Sequence, residues 1–282
     1  MKTTISITVN ALLLLAAVLL TACGGGGNNS SSGASLTGQF VDSPVGGLRY
    51  TTTSTSGFTA ADGTFSYKAG ETVQFFVGDI LIGSATGKSI VTPVDLVTGA
   101  VDETNPQVTN IVRFLQTIDA DGNPANGIDI TTVANNAGNG QNMDFTLAQG
   151  VFDTDGNIQT LVASMTTANG AGRPLISIAD AQNNFRLALL ELLAGNYQGT
   201  FAGDDTGTWT ATINSAGTLT GTVTSNTIGS VNATGSISSS GQATMSGTVG
   251  TTVFSGAFSN TGSVSGTWSD GVDSGTFTGS KI

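Results

Sequence analysis

The chain contains no histidine and a single cysteine, Cys23, and both scarcities limit its chemistry. Without histidine there is no Ser-His-Asp or Cys-His catalytic arrangement and no histidine-containing zinc site. With one cysteine there is no disulfide within the chain. Basic residues are also few, because 8 lysines and arginines stand against 19 acids, for a net charge of −11. This balance argues against a nucleic-acid partner and against a polybasic membrane contact.

Charged residues of either sign make up only 10% of the chain, whereas glycine occurs 40 times. Low charge with abundant Gly, Ser and Thr is typical of an extracellular β-protein rather than a helical enzyme. Together with the strand patterns described below, this composition predicts a mainly β fold with a few helices.

Residues 1–22 have the pattern of a signal peptide, with Lys2 ahead of the apolar run 11–20. As a helix this run rises about 15 Å, half of a ~30 Å hydrocarbon core, so it is too short for a stable span. The residues that end it, Leu20-Thr21-Ala22-Cys23, resemble the lipobox of bacterial lipoproteins. That resemblance implies cleavage between Ala22 and Cys23 and acylation of the Cys23 thiol and the new amino group. The alternative is an ordinary secretory signal cut after Ala22.

Residues 23–35 form the lipidated cysteine and its linker, because GGGGNNSSSGAS follows Cys23. Twelve such residues have a reach of about 20 Å, and two or more acyl chains anchor firmly. We therefore expect the chain to contact the membrane through its lipid anchor. Glycine rather than aspartate at position 24 implies the outer membrane by the enterobacterial sorting rule. Whether the protein then faces the periplasm or the cell surface is left open.

Residues 36–194 predict a β-sandwich-like module with covering helices. Strand patterns lie at 38–42, 48–51, 72–77 and 80–82, and Asp62-Gly63 predicts a hairpin with a type I′ turn. The segments DSPVGG (42–47), ADGTF (61–65) and AGET (69–72) resemble the carboxypeptidase-regulatory or transthyretin-like β-sandwich module. Modules of that kind are generally non-catalytic and often belong to cell-surface proteins.

Three helices are predicted within this region. Asn105 and Pro106 begin the first, which has apolar residues at helical spacing through Ile118 and is expected to cover a sheet face. A short helix is expected over 158–165. A capping box at Ser177 begins the third helix, for which Gly195 is a natural stop.

The first helix runs into Asp119-Ala120-Asp121-Gly122-Asn123-Pro124, which resembles the start of an EF-hand or dockerin loop. The resemblance implies a calcium site with Asp119, Asp121 and Asn123 as ligands, since calcium takes six to eight oxygens. Pro124 replaces the turning glycine and Ile130 replaces the bidentate glutamate. The alternative is a loop of Asx-turns without metal. The same two interpretations apply to Asp153-Thr154-Asp155-Gly156-Asn157, where Ser164 stands at the glutamate position.

Residues 196–282 repeat a unit of glycine, a small residue and an apolar residue, as in Gly199-Thr200-Phe201 and Gly207-Thr208-Trp209. Strand-like runs, separated by Gly, Asn, Ser or Asp, come about every ten residues. They predict an eight-stranded antiparallel meander, closed as a small barrel or packed as a sandwich. The strands are expected to start near Tyr197, Thr208, Leu219, Ser230, Ala243, Thr252, Val264 and Ser274.

The C-terminal repeat is also similar to the eight-stranded barrels of surface lipoproteins such as the transferrin-binding proteins. The similarity is carried by Gly266-Thr267-Trp268 and Gly275-Thr276-Phe277-Thr278-Gly279. It implies a domain that binds a protein or a small ligand.

Three functions are compatible with these features. The first is a non-enzymatic, lipid-anchored envelope protein whose β-domains bind a protein, a glycan or a small ligand. The second is an envelope-anchored hydrolase of glycosidase type, for which two suitably spaced carboxylates suffice. The third is a structural surface spacer. An apolar pocket holding an acid of raised pKa would favour the enzyme, whereas filled domains with exposed aromatic residues would favour binding.

The lipobox resemblance generates a direct prediction. Cys23→Ser should abolish partitioning into detergent and remove the acyl mass from the intact protein, because the thiol that takes the diacylglycerol is gone. Intact-mass measurement and phase partitioning of wild type and variant check this. A Cys23→Ser protein that stays equally membrane-bound would refute the anchor.

Overall fold

The structure is a computed structural model, and it describes residues 33–167, 172–248 and 250–282. The predicted signal peptide, the cleavage position between Ala22 and Cys23, the lipidated Cys23 and the linker up to residue 32 lie outside the described residues. Residues 33–282 form one compact unit. Within the described ranges no helix has the length and apolarity needed to cross a membrane.

The first region of the unit is built from short strands. As described, they are β1 (Ser35–Phe40), β2 (Val45–Gly46), β3 (Arg49–Thr51), β4 (Ser56–Phe58), β5 (Thr64–Lys68), β6 (Thr72–Val77), β7 (Ile80–Thr86), β8 (Ile90–Val91) and β9 (Ile128–Asp129). Within the described residues these strands form three sheets, ordered β5-β1-β8, β4-β3-β6-β7 and β2-β9. A short 3-10 helix, Pro93–Leu96, follows β8.

An aromatic cluster joins the two larger sheets. Phe40 of β1 lies 4.7 Å from Phe75 of β6 between ring centroids, and Phe65 of β5 meets Phe75 edge-on at 5.2 Å. All three rings are buried. Aromatic pairs in these geometries contribute about 0.5–1.5 kcal/mol beyond the area they bury. The expected β-sandwich-like packing is therefore held by rings that face each other across the sheets.

The predicted hairpin at Asp62-Gly63 is wrong. A turn is present, in which the Ala60 N–H donates to the Thr64 carbonyl at 3.0 Å. However, β4 pairs with β3 and β5 pairs with β1, so the turn connects two sheets. Gly63 has φ of 80°, whereas the only non-glycine residue with positive φ among those described is Ser43. A type I′ turn needs positive φ at both central residues. By contrast, Gly78-Asp79 does join the antiparallel pair β6–β7.

In the described part of the chain, five α-helices accompany these sheets: α1 (Pro106–Ile118), α2 (Thr132–Ala137), α3 (Gln149–Thr154), α4 (Gly156–Thr166) and α5 (Ile178–Leu193). The start of α1 is the predicted one, because the Asn105 side chain accepts from the Gln107 and Val108 N–H groups. Similarly, Ser177 caps α5 by accepting from the Asp180 N–H at 3.1 Å. The sequence patterns did not predict α2 and α3.

Helix α1 is buried on every side rather than covering one sheet face, since every residue from Val108 to Ile118 is buried. Several of its polar side chains find partners in the irregular segments around it, although the Asn110 Oδ1 has no hydrogen-bond partner among the described residues. The Asn110 amide donates to the Phe145 and Leu147 carbonyls, and the Arg113 Nε donates to the Ile176 carbonyl at 2.8 Å. These bonds fix the loops that pass over the helix.

The second region is a closed antiparallel barrel in sequence order, with β17 returning to pair with β10. Its strands are β10 (Gly195–Gly203), β11 (Gly207–Ile213), β12 (Thr218–Ser225), β13 (Gly229–Ile237), β14 (Gln242–Gly247), β15 (Val253–Phe258), β16 (Ser263–Ser269) and β17 (Ser274–Lys281). The predicted strand starts are confirmed to within two residues. Closure resolves the choice between a sandwich and a barrel.

The repeated glycine–aromatic unit is explained by pairing between neighbouring strands. In β10 and β11, Gly199 stands opposite Trp209, and Phe201 stands opposite Gly207. In β16 and β17 the same exchange sets Gly266 against Phe277 and Trp268 against Gly275. In each of these pairs the ring lies over the glycine of the neighbouring strand. A Cβ at Gly199 would stand 2.7 Å from the Trp209 ring, so only glycine fits there.

Helix α5 belongs to both hydrophobic cores. Its Phe185 and Leu189 pack with the first region, whereas Leu190 and Leu193 pack with Tyr197 inside the barrel. The Tyr197 hydroxyl donates to the Leu193 carbonyl at 2.7 Å. The helix therefore closes one end of the barrel, here called the base. The division of the chain between 36–194 and 196–282 remains a prediction.

This base contact predicts that Leu190→Ala destabilises the protein by about 2–5 kcal/mol, because it leaves a cavity in a packed core. Leu190 is 2% exposed. Leu187→Ala is the matched control, since that side chain lies on the same helix and is 44% exposed. Thermal and denaturant unfolding of both variants measure the difference. Equal stabilities would show that α5 does not seal the base.

Candidate binding site at the barrel mouth

The end of the barrel opposite α5, here called the mouth, is formed by the connections after β10, β12, β14 and β16. An up-and-down meander brings alternate connections to the same end. The mouth therefore gathers 204–206, 226–228 and 270–273, while 214–217, 238–241 and 259–262 lie at the base. The base contacts the first region through the Ser239 hydroxyl, which donates to the Glu103 carboxylate at 2.6 Å.

A cavity of about 180 Å³ opens at the mouth. Its floor consists of inward-facing side chains from several strands, among them Phe201, Phe254 and Trp268. Beneath it lies a smaller void of about 30 Å³ that shares Val223 and Phe254 with the floor. The glycine–aromatic pairs fill the barrel below this level, so the free space is concentrated at the open end.

Four aspartates surround the cavity: Asp204, Asp205, Asp270 and Asp273. Three of them are held by hydrogen bonds at the rim, and Asp204 accepts from the Ser274 N–H at 2.9 Å. Asp205 accepts from the Thr206 N–H at 2.7 Å and the Thr227 hydroxyl at 3.0 Å. Asp270 accepts from the N–H groups of Val272 and Asp273 at 2.9 and 2.8 Å.

These bonds favour the ionised forms of Asp205 and Asp270. The Ser225 side chain and the Thr206 and Thr227 donors hold the pKa of Asp205 below its usual range. The N–H groups of Val272 and Asp273 likewise lower the pKa of Asp270. In the described part of the barrel the sole basic residue is Lys281, whose Nζ donates to the Leu192 carbonyl at the base. The mouth is therefore a region of uncompensated negative charge around an apolar floor.

The mouth loops also carry the two most exposed large apolar side chains among the described residues. Val272 is 91% exposed and Ile228 is 75% exposed. Ile228 lines the cavity. Apolar groups held in water beside a concave surface are typical of a binding site.

The residues predicted to bind calcium lie in the loop after α1, and the structure brings Asp119 and Asp121 together. Asp119 accepts from the Asp129 N–H at 2.9 Å, while its other oxygen is buried without a partner in the described residues. Burial and the neighbouring Asp121 raise the pKa of Asp119. Asp121 accepts from the Asn123 N–H at 2.8 Å and from the Asn126 amide at 2.9 Å.

These bonds are the ones that the Asx-turn interpretation requires, and Asn123 takes part in them through its backbone. Arg173 also reaches this loop and donates to the Asp119 carbonyl. Within the described ranges, no group of three or more Asp, Glu, Cys or His side chains is arranged to hold a metal ion. In the second acidic loop, Asp153 pairs with Arg113 at 2.5 Å and Asp155 caps α4.

One acid in the first region has a strongly perturbed pKa, and the sequence patterns did not single it out. Burial raises the pKa of Asp42 well above its ordinary value, although a hydrogen bond from Gln116 opposes the shift. The Gln116 amide donates to Asp42 at 3.0 Å. Asp42 is fully buried. Such enclosure favours the neutral form of the carboxyl, and it keeps the group from being presented to a substrate.

No protein-family model matches this chain, and no curated protein matches it in sequence.

The calcium hypothesis predicts a melting shift. An ion bound only to the folded state at ten times its Kd stabilises by about 1.4 kcal/mol, which raises Tm by a few degrees. Millimolar calcium should therefore raise Tm relative to chelator, and Asp121→Ala should remove that difference. Asp144→Ala is the control, because Asp144 also makes an Asx-turn, with the Thr146 N–H at 2.8 Å. Identical melts of wild type with calcium and with chelator would support the Asx-turn interpretation.

Proposed function

We propose that this protein is a lipid-anchored, non-enzymatic component of the bacterial cell envelope that binds a ligand at the mouth of its C-terminal barrel. The observation that carries the proposal is the cavity of about 180 Å³ at the open end, with aromatic side chains in its floor. The other end is closed by Leu190 and Leu193 of α5. A small barrel with one sealed end and one open end has the shape of a binding cup.

Anchoring is the second part of the proposal, and its support is the lipobox resemblance at Leu20–Cys23. Acylation of Cys23 would attach the chain to the outer membrane, with residues 24–35 as a spacer. The folded unit would then hold its barrel close to the bilayer and present the mouth to a ligand in the periplasm or outside the cell.

The absence of enzymatic turnover is the third part. Among the described residues, the acids whose pKa is raised are Asp42 and Asp119. Their exposed fractions are only 0% and 1%, so neither is presented to a substrate. At the mouth, hydrogen bonds lower the pKa of Asp205 and of Asp270. A glycosidase requires one carboxyl that stays protonated to serve as general acid, alongside one that is ionised. Asp205 and Asp270 therefore suit charge recognition better than proton transfer.

The proposal predicts that filling the cavity removes binding while the fold is kept. Val231 lines the cavity on β13, so Val231→Phe should place a ring there. Ser236→Phe is the matched control, because it adds the same ring to the same strand on its exposed outer face. A chain lacking residues 1–23 keeps every described residue and suits a panel of metabolites, glycans and proteins.

Wild type and Ser236→Phe should share ligands that Val231→Phe loses. Ligands retained by Val231→Phe would place the binding site elsewhere. If no member of the panel binds, the result would favour the structural spacer. If a member of the panel is turned over, and changing one carboxylate abolishes that turnover, the result would favour the hydrolase.

A further inference from the structure

We propose that the barrel mouth selects small organic cations that carry a ring-sized apolar group. The apolar group enters the cavity and the cationic head remains among the four rim aspartates. This inference rests on the proposed function, because it names the ligand class of the same site.

The size of the cavity sets the size of the apolar group. An engineered apolar cavity of about 150 Å³ holds one benzene molecule. The mouth cavity, at about 180 Å³, is only slightly larger. It therefore accommodates one ring or a branched alkyl group, but not a polycyclic body. The remainder of such a ligand has to stay at the rim.

The floor presents aromatic surface rather than hydrogen-bond donors. Phe201 and Trp268 meet edge-on, with centroids 5.7 Å apart and planes at 82°. The Trp268 indole N–H already donates to the Ala202 carbonyl at 3.3 Å, so its donor is taken up by the barrel wall. Aromatic faces attract cations and apolar groups, and they offer nothing to an anion.

The rim supplies the charge that distinguishes a cation from a neutral molecule of the same shape. Asp205 is held by the N–H of Thr206 and the hydroxyl of Thr227, so it is positioned before a ligand arrives. Asp204 and Asp270 each use one carboxylate oxygen to accept backbone N–H groups. A preorganised carboxylate loses little entropy on pairing with a ligand.

Charge also decides which ligands the mouth rejects. The ion pairs found in the described residues, Arg49–Asp79, Lys88–Asp95 and Arg113–Asp153, all lie in the first region. An anion at the mouth would meet four carboxylates and no base in its lining. Like-charge juxtaposition costs several kcal/mol at a binding surface, so anions are excluded.

Three probes of similar shape test the selectivity: benzylammonium, benzyl alcohol and benzoate. They are titrated into the chain lacking residues 1–23, which retains all of the described fold, and the Trp268 indole N–H resonance reports binding. Benzylammonium should bind about tenfold more tightly than benzyl alcohol, because the rim carboxylates attract its ammonium group, and benzoate should not bind. Added salt should weaken binding of the cation alone.

The double variant Asp205→Asn/Asp270→Asn should reduce the advantage of benzylammonium to about two- to threefold, while the affinity for benzyl alcohol stays unchanged. Asparagine keeps the side-chain oxygen that accepts the rim N–H groups, so the loops are retained. The double variant Asp62→Asn/Asp144→Asn is the matched control, because it removes two exposed turn-forming carboxylates of the first region, and it should change nothing.

The outcomes separate this inference from the proposed function. Equal affinities for benzylammonium and benzyl alcohol, both lost in Val231→Phe, would overturn charge selection and leave the mouth as a binding site. Benzylammonium binding that persists unchanged in Val231→Phe would overturn both. An equal loss in Asp62→Asn/Asp144→Asn and in Asp205→Asn/Asp270→Asn would show that only the net charge of the protein matters, which also overturns the inference.

Discussion

The barrel depends on a reciprocal arrangement of glycine and aromatic residues on adjacent strands. Two pairs of strands, β10 with β11 and β16 with β17, exchange a ring for a missing side chain, as Gly199 does with Trp209. Eight short strands enclose too little volume for rings at every inward position. Rings alone would overpack the interior and glycines alone would leave voids, so where Phe254 meets Trp268 directly, the next inward pair is Gly256 and Gly266. The alternation satisfies both limits, and it also lets the indole N–H groups reach wall carbonyls.

The same arrangement explains why the open space lies where it does. Toward the base, Tyr197 and Phe258 meet edge-on at 5.0 Å, and leucines of α5 fill the remaining volume. Among the described residues no helix enters at the mouth, where small or polar inward residues such as Ala233 and Ser225 stand beside the rings of the floor. A cup therefore results from packing that is complete at one end and incomplete at the other.

Most of the barrel was predictable from sequence because the residues that begin and end its strands are local signals. Turn residues and period-two alternation fix the strand starts, as at Thr208 and Val264, without knowledge of distant partners. Closure was not predictable, because the pairing of β10 with β17 joins residues some eighty positions apart, such as Thr200 and Thr278. The same limitation explains the error at Asp62-Gly63, where the turn chemistry is local but the choice of sheet is not.

The candidate site was harder to predict for a related reason. Asp204, Asp205 and Asp270 are what ordinary turns contain, since aspartate accepts backbone N–H groups two residues on. Only the meander places them around one opening. Asp42 was missed because its burial depends on contact with Gln116 of α1, which is 74 residues away. Conversely, the acids of the loop after α1 stood out by their spacing, although the structure gives them turn-forming hydrogen bonds.

The unequal ends of the barrel make it an electric dipole. Lys281 lies at the base beside Leu192, while four carboxylates lie at the mouth. A cation that approaches the open end is drawn by this field toward the mouth, whereas an anion is repelled. The field reaches about one Debye length, roughly 8 Å at physiological salt, so added salt shortens its reach. Charge placement at one end of the barrel can thus raise the rate at which a cation meets the mouth before any contact is made.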